Sequence, residues 1–376
     1  MPAPAAGTRL VAYADGPAAA RIAPAEALAA AGLTGRPEVL LGLTAERHPW
    51  LDDPDLRGSA VLPGYALARA VADGRLTPLA VRLTAMPSLL AERPPDVGVI
   101  AAVRRGDGFA FAGSVGWGPE LAASAGCVVV EVDGAGRDLG GPGVAGNIVA
   151  VLPRPGSDPV PVPQRAADDI DRQIGELVAS LVPDDATLQF GPGGIGEGIA
   201  SSLQNPVRIR SGLLTDAMAT LHDRGLLLAP AMAAYTWGGE PIQRLADAGM
   251  LLLAPVSETN DSSAVAATPR FVACNTAIQV GLDGAVNVER IGERVITGIG
   301  GHSDFCAGAS RSVGGLSVIA VRSTAADGTP TIVERLDVVS TPRSDVDIVV
   351  TEHGIADLRG LTDRERANRL RAIGAS

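Results

Sequence analysis

Lysine is absent: all 31 basic residues of the 376-residue chain are arginine. No side chain can therefore form a Schiff base, anchor pyridoxal phosphate or complete a Walker phosphate loop. Cysteine is scarce as well. Cys127, Cys274 and Cys306 are widely spaced with no CxxC pairing, so neither a zinc site nor a disulfide framework is indicated, and small core residues are the simpler reading. Aromatic residues are only 3% of the chain, and no basic stripe is interleaved with them. With 42 acidic residues and a formal charge of −11, no nucleic-acid role is expected. Nowhere do about 18 apolar residues run uninterrupted, and the N-terminus lacks a charged stretch followed by an apolar one. No membrane association is expected, and a cytosolic location is the default.

What the chain does have is 46% hydrophobic residues and abundant glycine and alanine, a composition for closely approaching layers of Val, Leu, Ile and Ala. The fold class this favours is α/β. Apolar runs without alternation, such as DVGVIAAV and CVVVEVD, read as strands buried on both faces. LTPLAVRL, VRIRSG, FVACNTAIQVGL, RVITGIG and DIVVTEHG read as further strands. DRQIGELVASLV reads as an amphipathic helix, and LTDRERANRLRAIG as a last helix with Thr362 as N-cap and Glu365 completing a capping box. The proline-rich stretch LPRPGSDPVPVPQRAADDI denies both helix interior and central strand. It divides the chain into expected domains at residues 1–165 and 166–376.

GPGGIG, residues 191–196, lies between a predicted strand and helix, where glycines let backbone approach a phosphate. The pattern is weak evidence, since GPGVAG at 141–146 also satisfies it ahead of a strand, and the next strand, VRIRSG, ends in glycine rather than the acid a dinucleotide site wants. TGIGGHSDFCAGAS, residues 297–310, places a glycine-lined turn beside His302, Ser303 and Asp304. Its amides could stabilise an oxyanion, or Ser303 or Asp304 could simply cap a helix. With four histidines and no GxSxG elbow, a serine hydrolase is not indicated. His48 and His222 read as surface residues, whereas His302 and His353 sit in motif-like turns. Glu352, in TEHGIADLRG, follows a buried strand, where α/β proteins place their chemistry.

Together these segments resemble the acetyl-CoA hydrolase and CoA-transferase family, including 4-hydroxybutyrate and butyrate CoA-transferases. LQFGPGGIGEGIASSL is similar to the family's Gly-rich turn. TGIGGHSDFCAGASRSVGGLS is similar to its GxGGxxDFxxGA and SxGGxS segments, and STPRSDVDIVVTEHGIADLRG to its TSRxDVxxVVTExGxAxLRG ending. The resemblance implies two CoA-transferase-type α/β domains with the active-site cleft between them, and a coenzyme A thioester as substrate. A carboxylate acceptor, no bound organic cofactor, no metal and association into homo-oligomers go with it. By resemblance, Gly191, Gly193, Gly194, Ile195, Asn275, Gly298, Gly300, Gly301 and Asp304 contact coenzyme A or the thioester oxygen, with Glu352 in the same site.

The mechanism implied is covalent: a glutamate attacks the thioester and captures coenzyme A as a glutamyl thioester. The family carries that glutamate in an HxEM or SEM segment. Here the stretch reads RSGLLTD, which places Arg210 at the histidine and Gly212 at the nucleophile. Gln279 stands where relatives read NSALE or NSAIE, exchanging a carboxylate for an amide that only donates and accepts hydrogen bonds. Leu316 replaces the lysine of SxGGKS, with Arg311 or Arg322 as electrostatic substitutes. The expectation is an acyl-CoA-processing enzyme, a CoA-transferase or thioester hydrolase with non-standard catalytic residues. In a hydrolase, Glu352 or Glu258 would act as general base on a water oriented by Gln279. The alternative is a catalytically lapsed member that binds acyl-CoA or a partner.

Overall fold

A computed structural model describes residues 7–155 and 166–375. The domain boundary expected at residue 165 lies outside the described residues. The first half forms β1 (Thr8–Tyr13), β2 (Arg36–Leu41), β3 (Gly58–Ala60), β4 (Leu76–Pro78), β5 (Val97–Arg105), β6 (Gly108–Phe111), β7 (Cys127–Val132) and β8 (Ile148–Pro153). They make one sheet in the order β4-β3-β2-β1-β5-β7-β8, parallel throughout, with β6 folded back antiparallel on β5.

The second half opens with β9 (Thr187–Phe190), β10 (Arg208–Thr215), β11 (Ala231–Trp237), β12 (Leu251–Leu253) and β13 (Phe271–Asn275). Four short strands follow: β14 (Gln279–Gly281), β15 (Val286–Asn287), β16 (Arg290–Ile291) and β17 (Arg294–Val295). Then come β18 (Leu316–Ala320), β19 (Ile332–Val333), β20 (Ile348–Thr351) and β21 (Gly354–Asp357). The main sheet runs β12-β11-β10-β9-β13-β18-β20-β21, parallel except for β21.

Apart from their antiparallel members, the two sheets are wound alike. In each, a first strand lies in the middle, three successors are laid to one side, and a fifth crosses to the other. Each sheet thus has a switch point, β1/β5 and β9/β13, where connections leave in opposite directions and a crevice opens at the carboxyl ends. Alternate residues of β1 serve different layers. Leu10 and Ala12 join a central cluster that runs on to Val318 and Val350 of the second sheet, whereas Val11 and Tyr13 face an outer cluster with Ile22 and Val129.

The sheets are joined along a seam of backbone contacts. Ser114 pairs antiparallel with Tyr235, and Arg82 bridges Gly300 in parallel. Two buried acids reinforce them: Asp15 accepts from the Tyr235 hydroxyl at 2.8 Å, and Asp304 accepts from the Thr84 hydroxyl at 2.7 Å.

The helix start read at Thr362 stands, whereas the helix read from Asp171 begins two residues earlier, inside the stretch ending ADDI. Thr362 and Glu365 form a capping box on the helix Asp363–Ile373, and Asp168 and Asp171 form another on the helix Asp169–Ala179. Strand readings need correction where β-branched residues run through a break. FVACNTAIQVGL is not one strand: β13 stops at Asn275, and Gln279 opens β14 in a separate three-stranded sheet, β15-β14-β19. VRIRSG does not end at its glycine, because β10 continues through Gly212 to Thr215. RVITGIG shrinks to β17 and LTPLAVRL to β4.

The helices Asp169–Ala179 and Gly194–Ser202 cross so closely that a Cβ on Gly175 would lie 2.3 Å from the Gly198 backbone. Gly175→Leu is expected to lower stability by about 1–3 kcal/mol or more through overpacking. Gly191→Ala, whose Cβ meets nothing within 4 Å, is expected to leave it unchanged; urea denaturation of both variants measures the difference.

Candidate functional site

At the β9/β13 switch point, the turn after β9 runs through Gly191–Pro192–Gly193 into the helix Gly194–Ser202. Gly193 has φ +105°, a conformation that side chains resist, so glycine is required there. The turn brings the first amides of the helix to the carboxyl edge of the sheet, where partial positive charge favours an anion. Beside it lies a cavity of about 400 Å³. Gly193, Gly194 and Ile195 form one wall, Thr276 and Ile278 another, and Arg322 a third. Arg322 is tied down by Asp168 (2.7 Å) and the buried Asp171 (2.6 Å). Arg311 is exposed and spends its donors on the Ala307 and Ser262 carbonyls.

Beneath the turn runs a buried polar chain. Gln189 Nε2 donates to Asn275 Oδ1 (3.3 Å), and Asn275 Nδ2 faces Cys306 Sγ (3.6 Å). Cys306 meets His302 Nδ1 (3.6 Å), which also meets the Thr341 hydroxyl (2.9 Å). Burial drives the His302 imidazole down to about 4, against a weaker opposing bond with the Thr276 backbone. Burial likewise pushes the Cys306 thiol up to about 12, outweighing its bonds with Ser317 and Asn275. This chain is neutral across the physiological range, and Cys306 is no thiolate nucleophile.

Glu352 sits in the turn between β20 and β21, close to the end of β18. Its carboxylate accepts from the Ser323 hydroxyl (2.7 Å) and the Ser323 amide (2.9 Å), with His353 Nε2 3.9 Å away. Burial pushes this carboxyl up, but the two Ser323 bonds outweigh it and hold Glu352 below the usual carboxylate range. It is a fixed anion rather than a poised base.

The remaining residues singled out from the sequence fall elsewhere. Gly298 and Gly300 belong to the seam: a Cβ on Gly298 would lie 2.1 Å from the Val61 carbonyl, and Gly300 makes the bridge to Arg82. Asp304 is 1% exposed and spends its carboxylate on Thr84, so neither it nor Ser303 caps the helix His302–Ala309; Ser303 donates to the Ser340 carbonyl instead. Gln279 is half-buried in its own small sheet and accepts from Asn287 Nδ2 at 3.1 Å. Glu258 is exposed on a short helix. His48, expected at the surface, is 4% exposed and stacks on Trp50.

Gly212 lies mid-strand in β10. A Cβ there would meet Asn260 at 3.5 Å and Phe305 at 3.6 Å, ordinary contact distances. Asn260 was not singled out from the sequence; its neighbour Asp261 caps the next helix, accepting from the Ser263 amide. Asn260 turns inward. It is wholly buried, its Oδ1 accepts from the Thr259 hydroxyl at 2.8 Å, and its Nδ2 has no hydrogen-bond partner.

The acetyl-CoA hydrolase/transferase C-terminal domain model matches residues 242–376. A 4-hydroxybutyrate coenzyme A transferase of Clostridium kluyveri is 31% identical over 335 residues, covering 84% of this chain and 78% of the relative. The chain belongs to the acetyl-CoA hydrolase/CoA-transferase family. The crystal structure of RipA from Yersinia pestis superposes with a TM-score of 0.85 at 27% identity, covering 99% of this chain and 91% of RipA. That of a 4-hydroxybutyrate CoA-transferase from Porphyromonas gingivalis gives 0.73 at 25% identity, covering 98% and 90%. The α/β architecture with parallel sheets is thus that of solved CoA-transferases. Among the described residues, no helix is long and apolar enough to cross a membrane, and no group of three or more His, Cys, Asp or Glu residues could hold a metal ion.

In this CoA-transferase-family chain, the seam carries an unusual acid. Asp15 is 1% exposed, and burial raises its carboxyl to about 7 against the Tyr235 and Trp117 bonds that pull it down. A folded value above the unfolded one of 3.8 means its contribution is fully present below pH 3.8 and lost as pH rises through 7. The loss amounts to about 4 kcal/mol. Asp15→Asn is expected to flatten the stability profile between pH 4 and pH 8 and to be the more stable form at the alkaline end; thermal melts across that range test it.

Proposed function

We propose that the protein processes acyl-CoA thioesters, holding coenzyme A in the crevice of the second sheet and transferring or hydrolysing the acyl group. The observation that carries this reading is the coincidence of the family's glycine-rich turn with the 400 Å³ cavity at the β9/β13 switch point. On this reading the amides of Gly193, Gly194 and Ile195 receive an anionic part of the ligand. Asn275 and the polar chain under it keep the floor rigid and uncharged. Gly301 opens its helix so close to Asn260 that a Cβ on it would lie 2.2 Å from Nδ2, and on this reading the Gly301 amide and that Nδ2 together receive a thioester oxyanion. Glu352 is fixed by Ser323, whose two chain neighbours Arg322 and Thr324 line the cavity, and holds its negative charge behind that wall.

The family's covalent route has no side chain to run on at Gly212. Glu258 faces solvent, and Glu352 and Asp304 are committed to hydroxyls. Attack on the thioester by water or by a substrate carboxylate replaces capture by the chain. Gly212 also favours a second reading, a lapsed member that binds acyl-CoA without turning it over.

One assay separates the two. The protein is incubated with acetyl-, propionyl- and butyryl-CoA, with and without short-chain acids, while free thiol and CoA esters are followed. Turnover is the expected result; measurable CoA binding with no turnover on any of these donors would establish the lapsed reading for them. A second experiment addresses Gly212. The wild-type protein is expected to yield no glutamyl-CoA adduct after borohydride or hydroxylamine treatment, whereas Gly212→Glu, or Gly212→Glu combined with Gln279→Glu, is expected to form one at residue 212. An adduct at Glu258 or Glu352 of the wild type would relocate the nucleophile.

A further inference from the structure

Arg210 and Gly212 lie two residues apart on β10 and therefore project from the same face of the sheet. The Arg210 guanidinium reaches over that face to the short helix after β12, where Nε donates to the Thr259 carbonyl (3.1 Å) and Nη2 to the Glu258 carbonyl (2.5 Å). The next residue, Asn260, sits directly above Gly212, wholly buried, with an amide Nδ2 that nothing accepts. A buried donor left unpaired costs about 1–3 kcal/mol unless a ligand meets it. Two donor groups, one of them cationic, thus flank a strand position that bears no side chain. With Nε and Nη2 given to the Thr259 and Glu258 carbonyls, the Nη1 side of the guanidinium is what a short acid placed there would meet.

Building on the acyl-CoA reading above, we propose that a free short-chain monocarboxylate binds over Gly212, between Arg210 and Asn260 Nδ2, and itself attacks the thioester while both substrates are on the protein. The protein then works through a ternary complex rather than through a covalent enzyme intermediate. A carboxylate oxygen of the acceptor attacks the thioester carbonyl carbon, the C–S bond breaks, and coenzyme A departs as thiolate, leaving a mixed anhydride of the two acids. The thiolate next attacks the acceptor-derived carbonyl, the anhydride C–O bond breaks, and the donor acid leaves as its carboxylate. One thioester and one carboxylate go in and the same classes come out, with no net proton or electron required. Arg210 holds the acceptor carboxylate in place before attack, and the Asn260 amide takes up charge on the oxygen as the anhydride forms.

The test is kinetic and isotopic on the intact wild-type chain. Initial rates are measured with butyryl-CoA and acetate varied together, and a single turnover is run with acetate labelled with oxygen-18 in both positions. Intersecting reciprocal plots and label in the butyrate released by the first turnover are expected. Parallel plots, or a first-turnover butyrate free of label because its oxygen came from a protein carboxylate, would overturn the proposal. Arg210→Met is expected to raise the KM for acetate about tenfold or more, the loss of one charge-assisted carboxylate pair, while the Kd for butyryl-CoA measured by calorimetry stays within about twofold. Arg210→Lys is expected to recover part of the acetate KM. An acetate KM unmoved in Arg210→Met, or hydrolysis that acetate neither accelerates nor diverts, overturns the inference and leaves acyl-CoA processing standing. Absence of butyryl-CoA binding removes that underlying reading as well.

Discussion

Two buried carboxylates, Asp15 and Asp304, each rooted in one half of the chain and hydrogen-bonded into the other, hold the two sheets in their relation. Counter-charge is slight: Asp304 has Arg82 at 4.0 Å, and Asp15 has a phenol and a peptide amide. Burial therefore raises both, to about 7 and about 6. Groups in this condition act as hydrogen-bond acceptors whose directionality matters more than their charge, and they specify an arrangement rather than adding much stability to it. That arrangement brings the 61–64 and 82–84 segments of the first half against the Gly298–Gly301 turn of the second, close enough that the Val61 carbonyl excludes a side chain from Gly298, while Gly301 is closed off from within its own half by Asn260. Gly298 of that motif is set by backbone approach across the seam.

A second consequence is the low charge of the second sheet's crevice. Gln189, Asn275, Cys306 and His302 are polar but neutral, and the cation nearest the cavity, Arg322, is already shared between Asp168 and Asp171. What remains to attract an anionic ligand is the peptide array at the start of the helix Gly194–Ser202. Its dipoles are fixed by the fold and need no reorganisation when a ligand arrives. A lysine-free sequence suits this arrangement, since the anion-binding elements are backbone amides and arginine forks rather than mobile ammonium groups.

Much of this was legible in the chain because it is local. Non-alternating apolar runs became the buried central strands β5 and β7, the capping box at Thr362 fell where its spacing put it, and the glycine turn at 191–194 joins a strand to a helix. What failed was also local in cause. From Asn275 to Gln279 the chain reads as continued strand because Thr276 and Ile278 are β-branched, yet the segment leaves one sheet for another. That departure is decided by the partners β15 and β19, which no window of sequence contains. His48 read as a surface residue among charged neighbours, whereas stacking on Trp50 buries it. The pairing of Asp15 with Tyr235, 220 residues apart, left no pattern to find.

Asn260 shows the same limit at the candidate site. In sequence it is one of several small polar residues that start helices, and its neighbour Asp261 does what such residues usually do. Only the packing shows that Asn260 points the other way, over Gly212, with half of its amide unanswered. An apolar residue of similar size would avoid that desolvation cost, so fold stability gives no reason for the amide. Arg210 is partly buried to reach two main-chain carbonyls, and burial disfavours its cation more than the nearby Asp261 and Glu258 favour it. Two polar side chains kept at a cost around a position without one describe a site shaped for something brought from outside the chain. The Asn260 Nδ2 calls for an acceptor, and the Arg210 cation, which Asp261 and Glu258 offset only in part, favours a negatively charged one over water.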